Sequence, residues 1–213
     1  MLTVSEIYLS VQGESTHAGR LCVFVRLAAC DLRCRWCDTP YAFTGGQKMS
    51  VDDVLAEVRR LGCRLVEITG GEPLLQPDAG ILMERLLAEG FAVLLETGGH
   101  VPLDRVPEEV VAIVDVKCPG SGEVEHMHWP NLDDLSRHDE VKFVIQDRAD
   151  FEYACEVVDR HDLVTRTAAV LFSPVHGVLA PSELARWMID RRVAARLQLQ
   201  AHKYIWSPEA RGV

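Results

Sequence analysis

Leu21-Cys22-Val23-Phe24-Val25-Arg26-Leu27 and, after two alanines, Cys30-Asp31-Leu32-Arg33-Cys34-Arg35-Trp36-Cys37 form the stretch on which the reading of this chain turns. The first segment is an apolar run with one charge near its end, the pattern of a buried strand. The second has the form C-x-x-x-C-x-x-C and starts where such a strand hands over to a loop. Downstream, Ser50 reads as an N-cap with Asp52 and Asp53 in the first turn. Val51, Val54, Leu55, Val58 and Leu61 follow at helical spacing, and Gly62 stops the helix. Arg64 to Thr69 is the next strand. A helix over 78–89 carries Leu82, Leu86 and Leu87 as its inner stripe and stops at Gly90. Further strands are expected at 91–96, 110–116, 140–145, 168–172 and 195–199, and further helices at 150–159 and 181–190.

This alternation implies parallel strands with crossover helices, an α/β fold. The count of roughly six or seven strands falls short of a closed eight-stranded barrel of about 250 residues. A partial, open barrel in one domain spanning residues 1–213 is therefore expected. Pro119 to Asp139 is the least regular part and reads as a compact insertion.

Composition narrows the class. The chain has 213 residues, 22 Lys plus Arg against 32 Asp plus Glu, and a net charge of −10. With 48% hydrophobic and 25% charged residues it has enough apolar surface for a core, which excludes extensive disorder. The acidic balance argues against a nucleic-acid partner. No apolar run approaches the roughly 20 residues that span a bilayer. The start, MLTVSEIYLSVQGES, shows no basic segment followed by an apolar one, so a cytoplasmic protein without a signal peptide is expected. Seven cysteines, an odd count, argue against a disulfide framework. Three of them fall within one short loop. Three thiolates there suit three corners of a four-iron cluster, with the fourth iron open to a small molecule. A zinc site completed by Cys22, Cys118 or a histidine is the alternative, although paired C-x-x-C knuckles are more usual for zinc. Cys63 and Cys155, like Cys22 and Cys118, have packing as their default role.

The triplet, with Trp36 before its last cysteine, resembles that of the radical S-adenosylmethionine superfamily. Thr69-Gly70-Gly71-Glu72-Pro73, one βα unit on, is similar to that superfamily's GGEP element. Alone, this segment would read as a plain turn. Gln12-Gly13-Glu14, Phe24-Val25-Arg26-Leu27, Trp36-Cys37-Asp38-Thr39 and Leu199-Gln200-Ala201-His202-Lys203-Tyr204-Ile205 narrow the resemblance to the 7-carboxy-7-deazaguanine synthase family, over most of the chain. A radical-generating activase would share the triplet but gives no reason for QGE or Arg26. A zinc or electron-transfer module is the competitor from another class.

The resemblance implies a partial (β/α)6-type open barrel and a lyase with a [4Fe-4S] cluster, S-adenosylmethionine and magnesium. In that family the cluster cleaves the cofactor to methionine and a 5′-deoxyadenosyl radical. The radical takes a hydrogen atom from carbon 6 of 6-carboxy-5,6,7,8-tetrahydropterin, and the ring contracts with loss of ammonia. It further implies an electron-donating reductase or flavodoxin, a homodimer and a product used in queuosine or other deazapurine synthesis.

By the same resemblance Cys30, Cys34 and Cys37 hold the cluster and Thr39 holds magnesium. Trp36, Cys37, Asp38, Gly71, Asp115, Val116, Lys117, Ser173, Pro174, Val175 and His176 contact S-adenosylmethionine. Val11, Gln12, Gly13, Arg26 and Thr69 contact the substrate, with Glu14 and His202 as further candidates. Glu72 adds charge near the cofactor's amino group. The residues themselves leave alternatives open. Arg26 also reads as half of a salt bridge, Thr39 as a turn residue before Pro40, Glu14 as a loop charge and His202 as a core histidine. Two departures from the family pattern stand out: Ser15 where glycine is common, and a tail running on through Pro208 to Val213.

Overall fold

The computed structural model describes residues 1–213. One nine-stranded sheet runs in the order β3-β1-β2-β4-β5-β6-β7-β8-β9, with β1 (Leu2–Val11), β2 (Leu21–Leu27), β3 (Gln47–Met49), β4 (Leu65–Gly70), β5 (Ala92–Thr97), β6 (Val111–Asp115), β7 (Glu140–Ile145), β8 (Ala169–Pro174) and β9 (Arg196–Leu197). From β2 to β9 every pairing is parallel; β1 joins β2 and β3 antiparallel. The sheet is open, with β3 and β9 at its two ends.

Four long helices cover one side: α1 (Val51–Leu61), α2 (Asp78–Ala88), α4 (Arg148–Arg160) and α6 (Pro181–Arg191). Three single-turn helices, α3 (Asn131–Asp134), α5 (Leu163–Arg166) and α7 (His202–Ile205), complete the set. No helix is long and apolar enough to cross a membrane. As its sequence indicates, α1 is framed by a capping box. Ser50 Oγ accepts the Asp53 amide at 3.1 Å, Asp53 accepts the Ser50 amide at 3.2 Å, and Gly62 ends the helix at φ 71°. The fourth helix starts at Arg148 rather than 150, because the Asp147 carboxylate caps it by accepting the Asp150 amide at 3.0 Å.

The ten-residue β1 is absent from the sequence reading, and its register explains why. Val4 pairs with Leu27 but Glu6 pairs with Arg26, so Ser5 is an extra residue. A bulge of this kind breaks the two-residue alternation. Leu2 and Val4 therefore face the helices, and two positions later the parity has reversed. Ile7 faces the helices, and Glu6 and Tyr8 face the opposite side with Arg26 and Phe24. The bridge partner β3 was also missed, being three mostly exposed residues.

The core is unevenly divided. Two clusters of 21 and 19 buried residues lie between sheet and helices, whereas the inner side of the strands carries five, Cys22, Phe24, Leu65, Leu94 and Ile113. That apolar floor closes only one end of the inner side and leaves the rest to polar groups. Among the outer residues, Phe143 and Phe172 are fully buried, with ring centroids 5.6 Å apart at 79°. Phe143→Ala should cost about 3–5 kcal/mol in urea denaturation, with the cluster loop and cavity residues untouched.

Candidate active site

The parallel strands all end at one edge of the sheet, so their following loops gather there. Together with the inner side chains they enclose a cavity of about 730 Å³. Cys30, Cys34 and Cys37 all line it, as do Gly71, Arg26 and Thr69. All seven cysteines are free, with Cys22, Cys118 and Cys155 buried and Cys63 partly so, which bears out their reading as packing residues.

The start of the cysteine loop is hydrogen-bonded to the turn after β4 through the main chain. Gly71 N–H donates to Leu27 O at 2.9 Å and Glu72 N–H to Ala29 O at 2.8 Å. A Cβ on Gly70 would sit 2.1 Å from Leu27 O, and one on Gly71 would sit 2.1 Å from Ala29 O and 3.0 Å from Cys30 Cβ. Only glycine permits this approach. The irregular insertion supports the loop from the other side. Two single-turn 3-10 helices, Pro119–Ser121 and Val124–His126, place Ser121 O 3.1 Å from the Arg35 amide and the buried Glu123 carboxylate 2.7 Å from the Arg33 amide.

This donor set suits the expected cluster. Three thiols from one loop reach one cavity beside a glycine cradle. No three His, Cys, Asp or Glu side chains converge on a single-ion position, whereas a four-iron cube takes its thiolates at separate corners. Burial, opposed by Lys117, pushes the Cys34 thiol up to about 11, so in the chain alone the sulfur is protonated.

On the inner side of the sheet, charges lie in two bonded groups, one around Arg26 and one around Lys142. Arg26 Nε donates to Glu6 Oε1 at 2.8 Å and its Nη2 to Tyr8 Oη at 3.0 Å, while Tyr41 Oη donates to Glu6 Oε1 at 2.9 Å. The salt bridge reading of Arg26 is thus realised, and the same side chain lines the cavity. Thr69 Oγ1 donates to Glu96 at 3.1 Å, and Lys142 Nζ bonds Glu96 and reaches Glu14 Oε2 at 3.1 Å. Burial alone would pull Lys142 down, but Glu14, Glu96 and Asp115 outweigh it and hold it well above its usual range. Lys117 pairs with Asp115 at 2.9 Å. Glu67, deeper in, bonds the Gln12 amide and is held well above the carboxylate range by burial and then by Glu96 and Glu14.

The QGE loop docks on the chain's last ordered elements. Gly13 O accepts the Ala201 amide at 3.0 Å, and a Cβ on Gly13 would lie 2.5 Å from His202 Nδ1. Glu14 is not a free loop charge: it accepts from Gln198 at 3.0 Å and Gln200 at 3.2 Å besides Lys142. Ser15 keeps a left-handed φ of 63°, the conformation glycine favours, while its amide donates to Gln198 Oε1 at 2.6 Å. Asp38 is bound by Lys203 at 2.9 Å, and Thr39 Oγ1 lies 3.9 Å from Cys37 Sγ. The tail crosses the cavity mouth, Trp206 to Val213 lining it and Arg211 lying 3.9 Å over the Tyr41 ring, so Pro208 does border the site.

Val11, Gln12, Gly13, Trp36, Asp38, Thr39, Asp115, Lys117, Val175 and His176 also border the cavity. Val116, Ser173 and Pro174 do not. Val116 packs in the helix-side core, Ser173 is fully buried with an unpartnered Oγ, and Pro174 lines a separate small pocket. Alternation turns Val116 and Pro174 toward the helix side, in line with Val114 and Phe172, whereas Ser173 has the inward parity of its register partner Val144 but is fully buried. Glu72 also borders the cavity, and it is fully buried, accepting the Leu74 amide at 3.0 Å, the Gly98 amide at 2.8 Å and the Thr97 hydroxyl at 2.9 Å. Glu67, Glu96 and Lys142 were missed, although Glu67 and Glu96 show the signal that marked Arg26, one charge in an apolar strand, and Lys142 shares its strand only with Glu140.

A radical-forming cluster site on an open parallel barrel is the class that fold and cavity define, and the family model described as the radical SAM superfamily matches residues 25–160. The chain is 50% identical over 226 residues to a 7-carboxy-7-deazaguanine synthase of Koribacter versatilis (strain Ellin345), covering 100% of both. It is 45% identical over 216 residues to the enzyme of the same name from Chlorobaculum tepidum, covering 100% of this chain and 97% of that one. The crystal structure of QueE from Escherichia coli superposes with a TM-score of 0.76 at 24% identity, covering 94% of each chain, a likeness of fold. The chain belongs to the 7-carboxy-7-deazaguanine synthase family of the radical SAM superfamily.

The raised Glu67 pKa has a stability consequence. A carboxyl with a folded pKa above the unfolded value, about 4.3, binds more protons when folded, so stability falls as pH rises from that value to the folded one. Glu67→Gln keeps the size and carries no charge. Its stability minus that of the wild type should be pH-independent below about pH 4 and then increase by up to about 1.4 kcal/mol per unit. Urea denaturation across pH checks this, and a flat difference would show that Glu67 titrates normally.

Proposed function

We propose that this chain is a lyase converting 6-carboxy-5,6,7,8-tetrahydropterin to 7-carboxy-7-deazaguanine with release of ammonia. The carrying observation is that the cysteine loop, the GGE turn and Arg26 open onto one cavity in a chain half identical, end to end, to an enzyme so named. Cys30, Cys34 and Cys37 would hold a [4Fe-4S] cluster whose open iron takes S-adenosylmethionine, and together these groups supply the hydrogen-abstracting radical.

The chain's own residues bind and orient. Arg26 Nη1, which takes part in neither the Glu6 nor the Tyr8 contact, is the nitrogen offered to the substrate carboxylate. Gln12, Glu14 and Thr69 offer amide, carboxylate and hydroxyl groups to the polar ring edge, and Val11 and Gly13 shape the wall. Lys142 keeps its proton at Nζ among three carboxylates and holds Glu14 and Glu96 in place. Trp36, Cys37, Asp38, Gly71, Asp115, Lys117, Val175 and His176 are assigned to S-adenosylmethionine. Val116, Ser173 and Pro174 are retained only for their backbone groups. Thr39 is assigned to magnesium through its hard hydroxyl oxygen. The tail excludes water at the mouth. We also propose a single domain, a cytoplasmic setting, a homodimer, a reductase or flavodoxin as electron donor, and entry of the product into queuosine or deazapurine synthesis.

The decisive experiment is anaerobic incubation with the carboxypterin, S-adenosylmethionine, magnesium and reductant, followed by product mass. A mass lower than substrate by one ammonia is expected from the wild type and none from Cys34→Ala; unchanged turnover in Cys34→Ala would refute the cluster assignment. Arg26→Ala should raise KM about 10–100-fold, the equivalent of a charged hydrogen bond worth about 1.5–3 kcal/mol, with iron content unchanged.

A further inference from the structure

We propose that His100 is a positioning residue of the cofactor site, fixing the loop that bears Cys30 against the carboxylate of Glu72. The inference rests on the cluster and cofactor assignment made above. No sequence motif draws attention to His100, which lies in the loop after β5. Its side chain is only 6% exposed and borders the cavity. Nε2 lies 2.6 Å from Asp31 Oδ1, and Asp31 is the residue after Cys30. Nδ1 lies 3.7 Å from Glu72 Oε2, and Glu72 follows Gly71 of the cradle.

One ring thus spans the two elements that the cluster and the cofactor's amino group would occupy. Its placement is built, not incidental. A Cβ on Gly98 would come within 3.1 Å of Nδ1 and 3.3 Å of Glu72 Oε2, so a side chain there would press on both the ring and the carboxylate. The loop is anchored from behind as well. Gly99 O accepts the His128 amide at 3.1 Å and the Asn131 side-chain amide at 3.1 Å, and Asn131 also donates to Val101 O at 2.9 Å.

Nδ1 is the telling atom. It is buried and has no hydrogen-bond partner in the chain. Unpaired buried polar groups are uncommon and mark places where a site has a requirement beyond folding. Asp31 is itself exposed, so an ordinary surface ion pair would not need a buried histidine. A ring held by Asp31 on one side and aimed at Glu72 on the other resists rotation of the Cys30 end of the loop. It also keeps Glu72 in the orientation that presents the Gly71 cradle.

The test uses anaerobically reconstituted full-length protein and compares wild type with H100A, H100Q and H100N. Iron content, thermal stability and the electron paramagnetic resonance spectrum of the reduced cluster are recorded with and without S-adenosylmethionine, and titrating the cofactor-dependent spectral change yields Kd. Full iron loading is expected in H100A, with Kd raised about tenfold or more and an altered cofactor-dependent spectrum. In H100Q, whose amide can reach Asp31 as Nε2 does, part of the affinity should return. An unchanged Kd and spectrum in H100A would overturn the proposal. So would parallel losses of iron and thermal stability in all three variants with no recovery in H100Q, the mark of a merely structural role. A wild type that loads iron but shows no cofactor-dependent signal would overturn the assignment of the site and this proposal with it.

Discussion

Two backbones meet more closely at the ends of β2 and β4 than any side chain would permit, and the site follows from that contact. Beyond the last strand pairing, the amides of Gly71 and Glu72 continue onto the carbonyls of Leu27 and Ala29. The ladder in effect runs two residues past the sheet. It carries the start of the cysteine loop onto the glycine turn, so the groups that would hold the cluster and those that would hold the cofactor share one rigid junction. A methyl group at Gly70 or Gly71 would collide with main-chain atoms that cannot move without unpairing the strands.

The second constraint is what an open sheet does with its inner face. A closed barrel of this type fills its interior with layers of branched apolar side chains. Here the interior has one thin apolar floor and above it a polar row, Glu6, Arg26, Thr69, Glu96, Asp115 and Lys142. Buried ion pairs of this sort add little net stability, because desolvation offsets attraction. Their effect is geometric. Each group is held by at least one neighbour, so the cavity offers directed donors and acceptors without side-chain reordering. The stability itself comes from the two clusters on the helix side.

Much of the outline was legible in the residues. The apolar runs marked β2 and β4 to β8, the capping box marked α1, and the clustered cysteines marked the functional loop. Other parts were hidden for definite reasons. The bulge at Ser5 scrambled the alternation of β1. The insertion after Cys118 has no periodicity because its work is done by single contacts, Glu123 and Ser121 on the cysteine loop. Val116, Ser173 and Pro174 were carried over as a block with their neighbours, yet alternation puts Val116 and Pro174 on the helix side, and Ser173, of inward parity, is fully buried. Glu72 borders the cavity as its motif indicates, and its hydrogen bonds to Thr97 and Gly98, on β5 and the loop after it, are partners that the motif does not show.

Local pattern was enough to determine the strand and helix alternation and the position of the thiols, because each depends on residues adjacent in the chain. Which distant groups meet was decided only by the folded sheet. Glu14 reaches Lys142, Gln198 and Gln200, and His100 reaches both Asp31 and Glu72, across separations of 28 to 186 residues. Such pairings arise from register and strand order, which bring inward-facing positions of separate strands and loops together and leave no trace in the spacing of any one segment.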